Sequence, residues 1–223
     1  APRDIAQIIV DHLPENTMIA STDIAGPGFI NIKLAPSAFQ AVATRVREQR
    51  SDFGKGTLPE GTPHKINLEY VSANPTGPMH VGHGRWATLG DAMARVMRHA
   101  GYEVSEEYYI NDHGVQMDVF GNSVSVRYMQ LLGHDVEMPE KCYGGGYVKD
   151  IAQNIIDRDG NKWESVSDEE RMAAFREIAY KEMLDLARNT LTNFGTTFDT
   201  WFSERSLFVA NENGETKQQR AFD

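Results

Sequence analysis

Two histidines three residues apart stand in the run Pro78-Met79-His80-Val81-Gly82-His83-Gly84-Arg85. On the first turn of a helix, residues at this spacing share a face, so both imidazoles reach one ligand. A helix start offers unpaired backbone N–H groups and the positive end of the dipole, an environment suited to phosphate. Gly82 and Gly84 carry no side chain where a nucleotide could approach the backbone. Two imidazoles can donate hydrogen bonds to oxygens that gain charge as a nucleotidyl group is transferred. The chemistry indicated is positioning and charge stabilisation, with no side-chain nucleophile required. The competing reading is a metal pair, for which no third ligand is evident.

The flanking segments say how such a pair would be held. Lys65 to Val71 alternates, with Ile66, Leu68 and Tyr70 on one face and Asn67 and Glu69 on the other, which predicts a strand. Trp86, Leu89, Met93, Val96, Met97 and Ala100 form an apolar stripe at helical spacing, and Gly101 is a suitable helix stop. Tyr102 to Ile110 alternates again. Strand, Gly/Pro loop, helix and strand make one parallel crossover unit, and such α/β sheets bind ligands at the carboxyl ends of their strands. The loop with the histidines sits at that end. Asn74 in the loop could bond a substrate's polar groups or serve only as the turn residue of Asn-Pro. Glu69 could hold a guanidinium through paired hydrogen bonds or be a solvated strand residue. Asn111, Asp112 and Gln116, after the second strand, face the same crevice, although Asp112 could equally cap the following helix.

These residues carry a family resemblance. His80-Val81-Gly82-His83 resembles the HIGH signature of class I aminoacyl-tRNA synthetases. The longer run Ala73, Asn74, Pro75, Thr76, Gly77, Pro78, Met79, His80, Val81, Gly82, His83, with Gly90-Asp91-Ala92 behind it, resembles the arginyl-tRNA synthetases. So does Tyr109-Ile110-Asn111-Asp112-x-Gly114-x-Gln116. The resemblance implies a Rossmann-like α/β sheet and formation of arginyl-adenylate from L-arginine and ATP with Mg²⁺, followed by transfer to tRNA(Arg). It implies no protein-bound metal. His80 and His83 would be catalytic; His80, Gly82, His83 and Gly84 would bind ATP. Glu69, Ser72, Asn74, Asn111, Asp112 and Gln116 would bind substrate. The family's second signature, KMSKS, has no counterpart here, and its anticodon-binding domain is expected to lie outside these residues. The two rival readings are another HxGH nucleotidylyltransferase and a fragment that only binds.

Composition narrows the class. The 223 residues carry 22 Lys and Arg against 32 Asp and Glu, a net charge of −10, with residues 135–223 holding 11 basic and 18 acidic side chains. Phosphate contacts need Lys and Arg, so charge gives no support to a large nucleic-acid footprint; tRNA enters only through the resemblance. There is no run of eighteen apolar residues and the single cysteine, Cys142, cannot form an internal disulfide, which fits a cytoplasmic protein away from membranes.

In chain order, Ile5, Ile8, Ile9 and His12 predict a helix, Met18 to Ile24 and Phe29 to Leu34 a hairpin, and Phe39, Val42 and Val46 a second helix. Residues 1–50 thus read as part of a small α+β domain, which the resemblance identifies with the N-terminal domain described as touching the tRNA elbow. Residues 51–63, holding three Gly and two Pro, read as a linker. Residues 64–223 read as an incomplete Rossmann-like catalytic domain with a helical insertion at about 134–195. Within it, Tyr143-Gly144-Gly145-Gly146-Tyr147 lacks the Lys-Ser/Thr of a phosphate loop and reads as a flexible hinge. Ser167 and Glu170 predict a capping box for a helix that ends near Gly195, and Thr197 to Phe202 a short strand. His12, His64, His99, His113 and His134 read as surface or linker residues. The polar end from Asn211 to Asp223 carries no assignment.

Overall fold

In the computed structural model, which describes residues 1–221, the chain divides into two units, Ala1–Thr57 and Leu58–Asp223. The first unit contains helix α1 (Pro2–Asp11), an antiparallel hairpin of β1 (Ile19–Ala25) and β2 (Phe29–Leu34), and helix α2 (Pro36–Gln49). Proline at the first helical position opens both helices, where its missing N–H costs no hydrogen bond. Arg3 fastens α1 to the hairpin turn by donating to the carbonyls of Gly26 and Ile24 at 2.9 and 3.2 Å. The buried hydrophobic residues of this unit are Ala6 and Ala38, whereas Ile5, Ile8, Phe29 and Phe39 are largely exposed.

In the second unit, β3 (Lys65–Glu69), β4 (Glu103–Ile110) and β5 (Thr200–Ser203) form a sheet in the order β3-β4-β5, parallel throughout. Helix α3 (Val81–His99) makes the first crossover. Strand β3 ends at Glu69, two residues before its alternation does. Val71 and Ser72 both adopt positive φ, +66° and +41°, and the Ser72 N–H donates back to the Tyr70 carbonyl at 2.9 Å. For a β-branched residue this is a strained conformation, and it closes a three-residue turn at the carboxyl end of the strand.

The apolar stripe predicted on α3 is not the face that packs. Ala87, Gly90 and Ala94 are buried, while Trp86, Leu89 and Val96 are exposed. Small residues let the helix axis approach the sheet closely, and the large side chains then fall on the outer flank. The Tyr70 ring occupies the space that a Cβ at Gly90 would need: an added Cβ would lie 2.1 Å from it. That ring packs on Phe198 at 4.6 Å between centroids, and its hydroxyl donates to Glu106 at 2.5 Å. Glu106 is the polar exception on the inner face of β4 and also pairs with Arg98 at the end of α3 at 2.5 Å. Burial, and then the Glu106 carboxylate, push the Tyr70 phenol pKa well up.

The second crossover is a helical layer of α4 (Val115–Leu131), α5 (Gly146–Asp159) and α6 (Asp168–Phe194). Phe120, Val124 and Tyr128 of α4 pack on Val148, Ile151 and Ile155 of α5 and on Phe175 and Ala179 of α6. Ser167 caps α6 by accepting from the Glu170 N–H at 3.2 Å, one half of the expected box, and Gly195 ends it at φ +88°. The glycine-rich stretch at 143–147 is anchored at both ends rather than loose. Tyr143 and Tyr147 pack against the helical core, and the Tyr143 N–H donates to Ser123 Oγ at 2.9 Å. Strand β5 starts three residues later than the alternation suggested. The unassigned tail holds one capped turn, α7 (Lys217–Arg220); residues 222 and 223 lie outside the described residues.

Gly90→Ala gains helix propensity but must displace the Tyr70 ring and its bond to Glu106. Urea unfolding is expected to show a net loss of about 1–3 kcal/mol. No loss would mean that α3 does not depend on this close approach.

Candidate active site

The carboxyl ends of β3 and β4 carry the residues singled out by chemistry. His80 is the N-cap of α3 and His83 its third helical residue. The Gly82 N–H donates to His80 Nδ1 at 3.0 Å, and the His80 N–H donates to His83 Nδ1 at 3.1 Å. Two of the orphan donors of the helix start are thus satisfied by the imidazoles themselves. Each Nδ1 that accepts an N–H must be unprotonated, which places the proton of each neutral ring on Nε2, the edge turned away from the backbone. The rings stack with centroids 3.8 Å apart, and Trp86 stands edge-on to His83 at 5.4 Å. Burial, and then the neighbouring His80, lower the His83 pKa from its usual 6.5. With both Nδ1 atoms accepting a backbone N–H, the rings form a neutral donor pair at the positive end of a helix.

Gly82 has a local reason to be glycine. A Cβ there would come within 2.8 Å of the His80 ring and break the cap, whereas a Cβ at Gly84 would meet nothing within 4 Å. Gly84, Met79 and His80 line a cavity of about 350 Å³ whose far wall is the end of α6, with Thr190, Leu191, Asn193 and Phe194. No local pattern marks the α6 residues as part of this wall, since they lie more than a hundred positions away.

The remaining candidates form two linked groups. Asn74 donates through Nδ2 to Gln116 Oε1 at 2.9 Å and accepts from Asn111 Nδ2 at 3.0 Å, so three candidate residues from two strand ends share one chain of hydrogen bonds. The Ser72 hydroxyl donates to the exposed Glu69 carboxylate and accepts the Tyr109 N–H at 3.1 Å. Asp112 is placed differently. It is buried, and its carboxylate accepts from Tyr180 Oη at 3.0 Å, Ser203 Oγ at 2.6 Å and the Arg205 N–H at 3.0 Å. It does not cap α4, whose N-cap is Gly114 with no side-chain bond. Its visible work is to tie the β4 end to β5 and α6.

Two further residues hold the loop. Tyr108 Oη donates to the Ala73 carbonyl at 3.0 Å and Tyr147 Oη to the Thr76 carbonyl at 2.8 Å. Of the other histidines, His134 contacts Glu164 at 2.7 Å and His113 stacks on Phe208.

With this geometry in place, comparison with known proteins is informative. A family model described as the arginyl tRNA synthetase N terminal domain matches residues 1–34, and one described as tRNA synthetases class I (R), catalytic domain, matches residues 52–138. An arginine–tRNA ligase from Desulfitobacterium hafniense is 44% identical over 224 residues, covering 98% of this chain and 40% of the relative. The corresponding ligase of Magnetococcus marinus is 45% identical over 210 residues, covering 92% and 36%. The chain belongs to the arginyl-tRNA synthetase family. The Thermus thermophilus arginyl-tRNA synthetase structure superposes with a TM-score of 0.52 at 25% identity, over 93% of this chain and 33% of that one. A Campylobacter jejuni structure assigned to the same enzyme gives 0.69 at 35% identity, over 78% and 38%. The parallel sheet with its crossover helices is thus part of a class I, Rossmann-like core. The chain spans well under half the length of the curated relatives it matches.

Because its folded pKa is lowered, neutral His83 adds stability that is present above about 6.5 and is lost as pH falls through the folded value. His80→Asn keeps an effective cap but removes the neighbouring imidazole. The NMR titration midpoint of His83 is expected to lie below 6.5 in the parent chain and to move up in the variant. An unchanged or lower midpoint would contradict the coupling.

Proposed function

We propose that the whole protein is a cytoplasmic arginine–tRNA ligase and that residues 58–221 form the adenylate-forming half of its active site. The observation that carries this reading is the pair of neutral imidazoles capping α3, both with Nε2–H available as donors, beside the chain Asn111–Asn74–Gln116. Identity of 42–45% to arginine–tRNA ligases across more than 90% of the chain supports the choice of amino acid.

The arginine carboxylate attacks the α-phosphorus of ATP; an O–P bond forms and pyrophosphate leaves. The terminal ribose hydroxyl of tRNA(Arg) then attacks the carbonyl carbon of the mixed anhydride, forming an ester and releasing AMP. In the first step the two Nε2–H groups and the α3 dipole face oxygens whose charge grows in the transition state. Asn74, oriented by Gln116 and Asn111, holds the amino acid's α-groups. Glu69, oriented by the Ser72 hydroxyl, takes the guanidinium, and the planar fork of that group suits a carboxylate. Asp112 acts through Arg205, Tyr180 and Ser203, keeping the β4 end in place. Mg²⁺ arrives with ATP as part of the substrate and offsets its charge. Residues 1–57 belong to the part that meets tRNA. By this reading residues 1–223 alone do not arginylate, because charge stabilisation on the leaving pyrophosphate and tRNA positioning come from the remaining length of the relatives.

ATP–pyrophosphate exchange by the full-length protein, run across the amino acids with and without tRNA, tests this. Arginine-dependent exchange is expected. Exchange with another acid would indicate a different nucleotidylyltransferase, and none at all a binding fragment. His83→Ala should reduce the exchange rate by about 10²–10³-fold with little change in arginine binding, the pattern of a group that acts in the transition state. Equal losses in both would refute that role.

A further inference from the structure

We propose that Tyr147 is a positioning residue for adenylate formation, holding from the helical layer the loop that carries the histidine pair. This rests on the arginine-activation reading. The loop between β3 and α3 is fixed through two backbone carbonyls. Tyr108, in the sheet, donates to Ala73 at 3.0 Å, and Tyr147, in the first turn of α5, donates to Thr76 at 2.8 Å across 71 residues of chain. Asn74 and Pro75 lie between these anchors. Gly77, Pro78 and Met79 separate the second anchor from the His80 cap. Among the described residues, the Thr76 carbonyl is therefore the last point at which a hydrogen bond from the helical layer holds the chain before α3.

Three observations show a fitted contact. Thr76 is buried at 8% exposure. The Tyr147 ring lies against Gly77, where a Cβ would stand 3.2 Å from its hydroxyl oxygen and 3.3 Å from Cζ. The ring also packs on the helical core, 6.3 Å from Phe120 between centroids, so its hydroxyl is aimed by a rigid layer. Burial raises the phenol pKa, which keeps the hydroxyl protonated as a donor. Asn74 does not depend on this contact, because Gln116 and Asn111 hold it separately. Between Thr76 and the His80 cap the loop has the apolar packing of Met79 beside Ala87 and Leu191 but, among the described residues, no other hydrogen bond from the helical layer. Loosening Thr76 should therefore disturb the transition-state donors and spare arginine binding.

The test is Tyr147→Phe in the full-length protein, which keeps the ring and removes one hydrogen bond. The kcat of arginine-dependent ATP–pyrophosphate exchange is expected to fall about 3- to 10-fold, the range of a single hydrogen bond. The arginine KM should change by less than about twofold and the melting temperature should stay within about 2 °C. Gly77→Ala, which crowds the same ring from the loop side, should reproduce the kcat loss. Amide exchange over residues 77–84 should speed up in Tyr147→Phe, and this readout also works in residues 1–223 alone. An unchanged kcat, or a lower melting temperature with kcat intact, overturns the proposal; so does a loss confined to arginine KM. If the parent protein shows no arginine-dependent exchange, the functional reading fails instead, and unchanged amide exchange over 77–84 would still refute the Tyr147 contact on its own.

Discussion

The capping of α3 by its own histidines constrains everything around it. Each imidazole spends Nδ1 on a backbone N–H, and that bond selects the tautomer and leaves Nε2–H as the donor edge. An aspartate cap would satisfy the same donors but present no hydrogen-bond donor, and a serine cap would offer only a short hydroxyl close to the backbone. A protonated histidine would lose the Nδ1 acceptor and with it the cap. The lowered pKa of His83 and the close stack of the rings follow from the same arrangement. Gly82 follows as well, since a side chain there would strike the His80 ring.

A helix start can hold two donors in register only if the loop before it is stiff. The structure achieves this with a strained turn at Val71–Ser72, two prolines, and ties from elements distant in sequence. The turn brings the Ser72 hydroxyl back to Glu69 while accepting the Tyr109 amide, which joins the ends of the two parallel strands. Backbone strain of this kind costs on the order of 1–3 kcal/mol per residue and persists where surrounding contacts over-determine it. Here those contacts also orient the residues proposed to bind arginine, so stability and site geometry draw on the same bonds.

Much of this was legible in the sequence, for identifiable reasons. Alternation in 65–71 and 102–110, with a helix between them, required a parallel crossover, and the sheet has that topology. The resemblance carried on Ala73–His83 and Tyr109–Gln116 agrees with the family that the comparisons give. The packing face of α3 was not legible, because hydrophobic periodicity marks large residues while the contact uses Ala87, Gly90 and Ala94. Asp112 looked like a ligand or a cap because sequence shows its neighbours, not Tyr180, Ser203 and Arg205, which lie 68 to 93 residues away. Tyr147 was hidden for the same reason. The glycines beside it suggested mobility, and only the folded chain shows its hydroxyl on Thr76.

Two neutral, Nε2-protonated imidazoles at one helix start are proposed to meet the nucleotide. ¹⁵N NMR of the histidine rings in residues 1–223, with and without ATP, measures this directly. Unprotonated Nδ1 and protonated Nε2 are expected for both His80 and His83 at pH 7.5, with ATP shifting both Nε2 resonances and leaving Nδ1 as an acceptor. Protonated Nδ1 on either ring, or Nε2 resonances indifferent to ATP in a folded sample, would contradict it.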